Sequence, residues 1–85
     1  MEKVSFSEYR MLRDNYVEQE TKKLGQLLFE SNELYLSLRI LTTKGYGHKA
    51  AYKAGRRVDR RERAYNRAVY KAEKYFSTQY TFSLD

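Results

Sequence analysis

Apolar residues recur along the first half of the chain at helical spacing. Val17, Leu24, Leu27, Leu34, Leu38 and Leu41 fall at alternating steps of seven and of three or four, with Ser31 filling one slot. That spacing predicts the buried seam of an amphipathic helix. Upstream, Ser5 to Glu8 reads SFSE, a capping box in which the serine hydroxyl accepts from a free amide and the glutamate reaches back. The helix is therefore expected over about residues 6–42. Gly25 is a weak point inside it, at about 1 kcal/mol relative to alanine. Leu34, Leu36, Leu38 and Ile40 also alternate with Tyr35, Ser37 and Arg39, which is strand spacing with "SNE" as a hairpin turn. The helix is preferred because the seam continues unbroken from Leu24.

"TTKGYG", residues 42–47, is the clearest punctuation. Gly45 and Gly47 end one element and permit a reversal. A second helix is expected over about residues 48–77. Its seam reads Ala51, Ala54, Val58, Arg61, Tyr65, Ala68, Ala72 and Tyr75, with small alanines suited to close approach of a leucine-rich neighbour. Arg61 interrupts this seam and is expected at an edge or in a polar contact. In the tail, residues 78–85, Tyr80, Phe82 and Leu84 alternate, so it should be extended and pack on the helices or on a partner. The chain lacks proline, so nothing forces a break inside either helix. The predicted fold is all-α: a single domain, residues 1–85, formed by an antiparallel helical hairpin with a short extended C-terminal tail. Two such hairpins pairing as a homodimer would bury seams that one leaves partly wet.

Composition narrows the chemistry. There is no cysteine and His48 is the lone histidine, so disulfides and thiolate or histidine zinc sites are not expected. No apolar run approaches a membrane span, and "MEKVSFSEYR" has no signal-peptide core; a cytoplasmic protein is expected. No nucleophile–base pattern, phosphate-cradling glycine motif or carboxylate cluster appears. "KGYGHKAAYKAG" has glycines near lysine but lacks the order of a P-loop. His48 beside lysines is a conceivable metal-free RNA-cleaving group, yet a lone histidine at a helix start is more often structural or solvated. The expected protein is not an enzyme, and no cofactor or metal is called for.

The formal net charge is +6, unevenly placed. Residues 1–43 carry six basic and seven acidic side chains, residues 44–74 eleven basic and three acidic. Stepped at about 100° per residue, Lys49, Lys53, Arg56, Arg60, Arg63, Arg67, Lys71 and Lys74 fall on one stripe opposite the alanine seam. Tyr52 and Tyr70 flank it on one side, Arg57 and Arg61 on the other. Such a stripe neutralises phosphates and releases their counterions. Arginine forks fit phosphate oxygens, and flanking tyrosines offer faces for unpaired bases. The combination favours RNA or single strands over groove reading. The candidate nucleic-acid contacts are those eight residues with Arg57, Tyr52 and Tyr70. Tyr46, Asn66 and Gln79 are weaker supplements, while Tyr65 and Tyr75 are expected in the core. The bland reading is a solvated face in which Asp59, Glu62 and Glu73 tie arginines into intrahelical pairs, but three acids cannot neutralise eleven bases. Other readings are a basic face docked on an acidic protein, a nucleotide-signal-binding protein, and a membrane-surface helix. The last is weakened because the apolar face is committed to the core.

The basic, tyrosine-studded "RRVDRRERAYNR", together with the small size, resembles the early proteins by which T-even-like phages neutralise host defences. Within these the chain looks most like the ToxN inhibitory factors, RNA-binding antagonists of an endoribonuclease toxin. That resemblance implies RNA as a partner, contact with a host endoribonuclease toxin or another host defence protein, and action in the host cytoplasm. The phage cyclic-nucleotide sponges are also helical hairpins with basic and tyrosine contacts, but their tryptophan-containing second helix has no counterpart in a chain without tryptophan.

Overall fold

The structure is a computed structural model and describes residues 1–84; Asp85, the end of the expected tail, lies outside the described residues. The elements are β1 (Glu2–Ser5), α1 (Phe6–Thr42), α2 (His48–Gln79) and β2 (Tyr80–Ser83). The two long helices match the expectation, including the helical choice for residues 34–41. Ser5 caps α1, its hydroxyl accepting from the Glu8 amide at 3.2 Å. The reciprocal bond of a capping box is absent among the described residues, and Ser5 is itself the last residue of β1. At the other end of α1, Gly45 at φ 86° allows a Schellman turn. The Tyr46 amide donates to the Leu41 carbonyl at 3.2 Å and the Gly45 amide to the Thr42 carbonyl at 3.0 Å. Gly47, φ 70°, then leads into α2, where its carbonyl accepts from the Ala51 amide at 2.9 Å.

The described residues form two compact units. One holds Lys23–Tyr65, that is, the end of α1, the turn and the start of α2. Here the helices run antiparallel and in close contact. A Cβ on Gly25 would lie 3.2 Å from the Tyr65 ring, and one on Gly55 would lie 3.1 Å from the Tyr35 ring. Both glycines are thus places where a tyrosine of the facing helix enters, which accounts for Gly25 at a helix interior. Arg61 interrupts one seam and Ser31 the other, and the two meet. The Arg61 guanidinium donates to the Ser31 hydroxyl and, at 3.1 Å, to the Leu27 carbonyl; Ser31 in turn donates to the Leu27 carbonyl at 2.8 Å. Each buried polar group here has a partner, which removes most of the penalty for burying it.

The other unit holds Met1–Lys22 and the described residues from Asn66 onward. Its core is aromatic. Phe76 stacks on Tyr80 at 4.7 Å and meets Tyr9 at 5.2 Å and Tyr16 at 5.8 Å. Phe82 lies 4.8 Å from Tyr9 and 5.0 Å from Phe6. Thus the tail packs on the helices through Tyr80 and Phe82, while Leu84 stays exposed. β2 also pairs in parallel with β1, Glu2 opposite Tyr80 and Ser5 opposite Ser83, a ribbon that the sequence reading did not anticipate.

Both seams differ in detail from their expected course. On α1 the inward residues are Val17, Thr21, Leu24, Leu28, Ser31, Tyr35, Leu38 and Thr42, a heptad stripe sharing Val17, Leu24, Ser31 and Leu38 with the expected one. Leu27, Leu34 and Leu41 are instead 38%, 47% and 43% exposed, whereas Thr21 and Ser31 are 2% and 4% exposed. The hydroxyls are cheap to bury because each bonds the carbonyl four residues back, Thr21 to Val17 at 2.6 Å. On α2, Phe76 rather than Tyr75 is buried, because Phe76 sits at the centre of the ring cluster.

Candidate nucleic-acid interface

The alanines of α2 decide which way its cations face. Ala51, Ala54 and Ala72 are buried, and at 3.6 residues per turn that turns the intervening lysines and arginines outward. In the unit Lys23–Tyr65, Lys49, Lys53, Arg56, Arg57, Arg60 and Arg63 are all exposed. In the other unit, Arg67, Lys71 and Lys74 are exposed as well. Tyr52 and Tyr70 are exposed too, as stacking residues must be. Arg61, which the sequence set on the flank of the stripe, is turned inward to Ser31 and Leu27.

Among the described residues, none of the outward cations forms an ion pair with an acid. Among the described residues the one ion pair joins Arg13 to the adjacent Asp14 at 3.7 Å. Asp59, Glu62 and Glu73 therefore form no intrahelical bridges with the stripe. Of the rival reading, a solvated and self-paired face, the exposure is present and the intrahelical pairing is not. Like charges at turn spacing repel, and a polyanion relieves that repulsion.

Beside the turn, a cleft of about 500 Å³ opens between α1 and α2, lined by Tyr35, Arg39, His48, Tyr52, Arg56 and Asp59, among others. Its walls carry the same device twice. The Arg39 guanidinium lies 5.7 Å from the centre of the Tyr35 ring and donates to the Tyr35 hydroxyl at 2.8 Å. Across from it, the Arg56 guanidinium lies 6.0 Å from the centre of the Tyr52 ring. Each pair is a tyrosine followed four residues later by an arginine, on one helix face. Contact with a ring also holds the guanidinium in place. Of these residues the sequence reading singled out Tyr52 and Arg56 only. Tyr35 and Arg39 were overlooked because they lie in the half of the chain without excess charge. The usable signal was the spacing itself, which recurs in Phe6 with Arg10 and Tyr9 with Arg13.

In the other unit, Tyr70 and Lys74 line a shallower cleft of about 380 Å³ with Tyr9, Arg13 and Glu73. Nearby, burial, then Glu20 and Tyr75, push the Tyr16 phenol above its ordinary pKa. No group of histidine, cysteine and carboxylate side chains among the described residues could hold a metal ion, and no described helix is long and apolar enough to cross a membrane. No family model, curated protein or solved structure matches the chain.

Proposed function

We propose that the protein binds RNA through the cationic face of α2, largely without regard to sequence. The observation that carries this reading is that the lysines and arginines of α2 other than Arg61 face outward in each unit, Lys49 to Arg63 in one and Arg67 to Lys74 in the other, with no acidic partner among the described residues. Lysines and arginines along one helix face follow a phosphate backbone, and tyrosines at its edge accept unpaired bases. Resemblance to the phage counter-defence proteins supports a purpose for such binding. The protein would inhibit a host endoribonuclease toxin in the host cytoplasm by holding the RNA on which that toxin acts or assembles.

Titration of RNA, single-stranded DNA and duplex DNA side by side tests the reading. RNA and single strands should bind best. With about five phosphates engaged, log affinity for a single strand should fall against log salt with a slope near roughly −3.5. An affinity flat between low and physiological salt would remove the face from consideration. A second reading has the same cations dock on an acidic protein. There, association with the partner would survive nuclease treatment, whereas RNA-mediated association would be lost.

A further inference from the structure

The cleft beside the turn has a polarity that the cationic face lacks. His48 begins α2, and Asp59 lies eleven residues further along the same wall, about 16 Å at the rise of an α-helix. Arg39 and Arg56 stand between these ends on opposite walls, each beside its tyrosine. Asp59 has no ion-pair or hydrogen-bond partner among the described residues. A lone carboxylate is out of place in a surface built only for phosphate, because it repels one.

A nucleotide has the matching polarity. Its phosphate is an acceptor for guanidinium donors, its base a flat ring for tyrosine, and its base edge a set of donors and acceptors. We infer that this cleft takes a single guanine nucleotide, its phosphate toward Arg39 and His48, its base against Tyr52, and its Watson–Crick edge on the Asp59 carboxylate. An ionised carboxylate is acceptor-only. Guanine is the common base that offers two adjacent N–H donors, N1–H and the N2 amino group, to two carboxylate oxygens. Adenine and cytosine each place a ring acceptor beside their amino group, and uracil flanks its N–H with two carbonyls. Those acceptors would face the carboxylate and repel it. The guanidinium of Arg39, held by the Tyr35 hydroxyl, keeps further N–H donors free for phosphate. The cleft volume is in the ordinary range for small-ligand sites.

The inference rests on the RNA-binding reading in one respect. The guanine nucleotide is either a residue of a bound strand or a free mononucleotide, since both present the same groups. In a strand, the cationic face would supply affinity and the cleft a preference at one position.

The test uses the full chain, with calorimetric titration of GMP and AMP and, separately, of equal-length RNA oligomers with and without one guanosine. GMP should bind about tenfold tighter than AMP. Asp59→Asn should lower GMP affinity about tenfold and bring the two nucleotides to near parity. Tyr52→Leu should weaken both. Arg60→Gln with Arg63→Gln and Arg67→Gln should weaken long RNA while leaving GMP binding unchanged. Equal binding of GMP and AMP, no binding of GMP, or a preference that persists in Asp59→Asn would each overturn the inference, even where long RNA still binds. Loss of all RNA binding with the GMP preference intact would overturn the RNA reading and assign the cleft to a free nucleotide. Preference for the guanosine-containing oligomer assigns it to a strand. Circular dichroism of Asp59→Asn should match the parent, because Asp59 is an exposed helix residue.

Discussion

Arg61 and Ser31 show how a residue that breaks a pattern is explained by another that does the same. Taken singly, each is a fault in an apolar seam. Together with the Leu27 carbonyl they form a closed set of donors and acceptors. Ser31→Ala and Arg61→Gln should therefore each destabilise the protein by about 1 kcal/mol. The double variant should lose less than the sum, with a coupling energy of about 0.5 kcal/mol or more. Urea melts of the four proteins check this, and strict additivity would mean the contact carries no energy. The sequence exposed the existence of both interruptions but not their meeting, since residues thirty apart are joined only by the register of the facing helices. Gly25 is similar. Its helix-weakening character is evident from residue type, whereas the Tyr65 ring that needs the space belongs to the other helix.

At the scale of elements, the helices and the turn were legible because capping serine, paired glycines and heptad spacing are local signals. The rotation of each helix was not. Leucine content favoured Leu27, Leu34 and Leu41 as the inner residues of α1, but the facing surface of α2 is small, with Ala51, Ala54 and Gly55, and accepts Tyr35 instead. On α2 a one-residue difference separates the expected Tyr75 from the buried Phe76. That difference has a measurable consequence. Phe76 is 4% exposed and Tyr75 55%, so Phe76→Ala should cost about 3–5 kcal/mol, and Tyr75→Ala about 1 kcal/mol or less. A reversed order in denaturant melts would restore the expected seam. β1 escaped notice because "EKVS" has one large apolar residue and pairs with a strand more than seventy residues later. The outward direction of the cations was legible for all but Arg61, because charge of one sign at turn spacing reports itself without any partner, whereas Arg61 turns inward to a partner on the facing helix. The cleft was only half legible, since Tyr35 and Arg39 reach it from the near-neutral half of the chain.

At the scale of the whole molecule, the homodimer expected from the sequence is a question for experiment, and the exposed leucines of α1 are where to ask it. Leu27, Leu34 and Leu41 repeat every seven residues on an outer flank of α1, all substantially exposed. A helix apolar on its outer side as well as its inner one calls for a partner. Were a second copy to pair here, an antiparallel arrangement centred on Leu34 would set Leu27 against Leu41 twice over, the self-complementarity of a two-fold interface. Residues 23–41 carry Lys23, Glu30, Glu33 and Arg39, whose charges cancel, so pairing there does not bring two cationic helices together. Sedimentation at micromolar concentration should show a dimer, and Leu27→Gln with Leu34→Gln should shift it to monomer with helicity retained. A monomeric parent protein would contradict this surface as a self-association site.

The claim on which the rest depends is that the exposed arginines of α2 serve binding and not folding. Replacing Arg56, Arg60, Arg63 and Arg67 by glutamine keeps helix propensity and removes charge. All four side chains are exposed and without acidic partners among the described residues. The melting temperature should be unchanged or slightly higher as repulsion is relieved, while affinity for a single-stranded RNA falls by two orders of magnitude or more, about 0.7 of a counterion being lost per phosphate contact. The matched variant, Glu18, Glu20 and Glu33 to glutamine on α1, should bind RNA at least as well as the parent. Undiminished RNA affinity in the arginine variant, or loss of fold together with binding, would contradict the account.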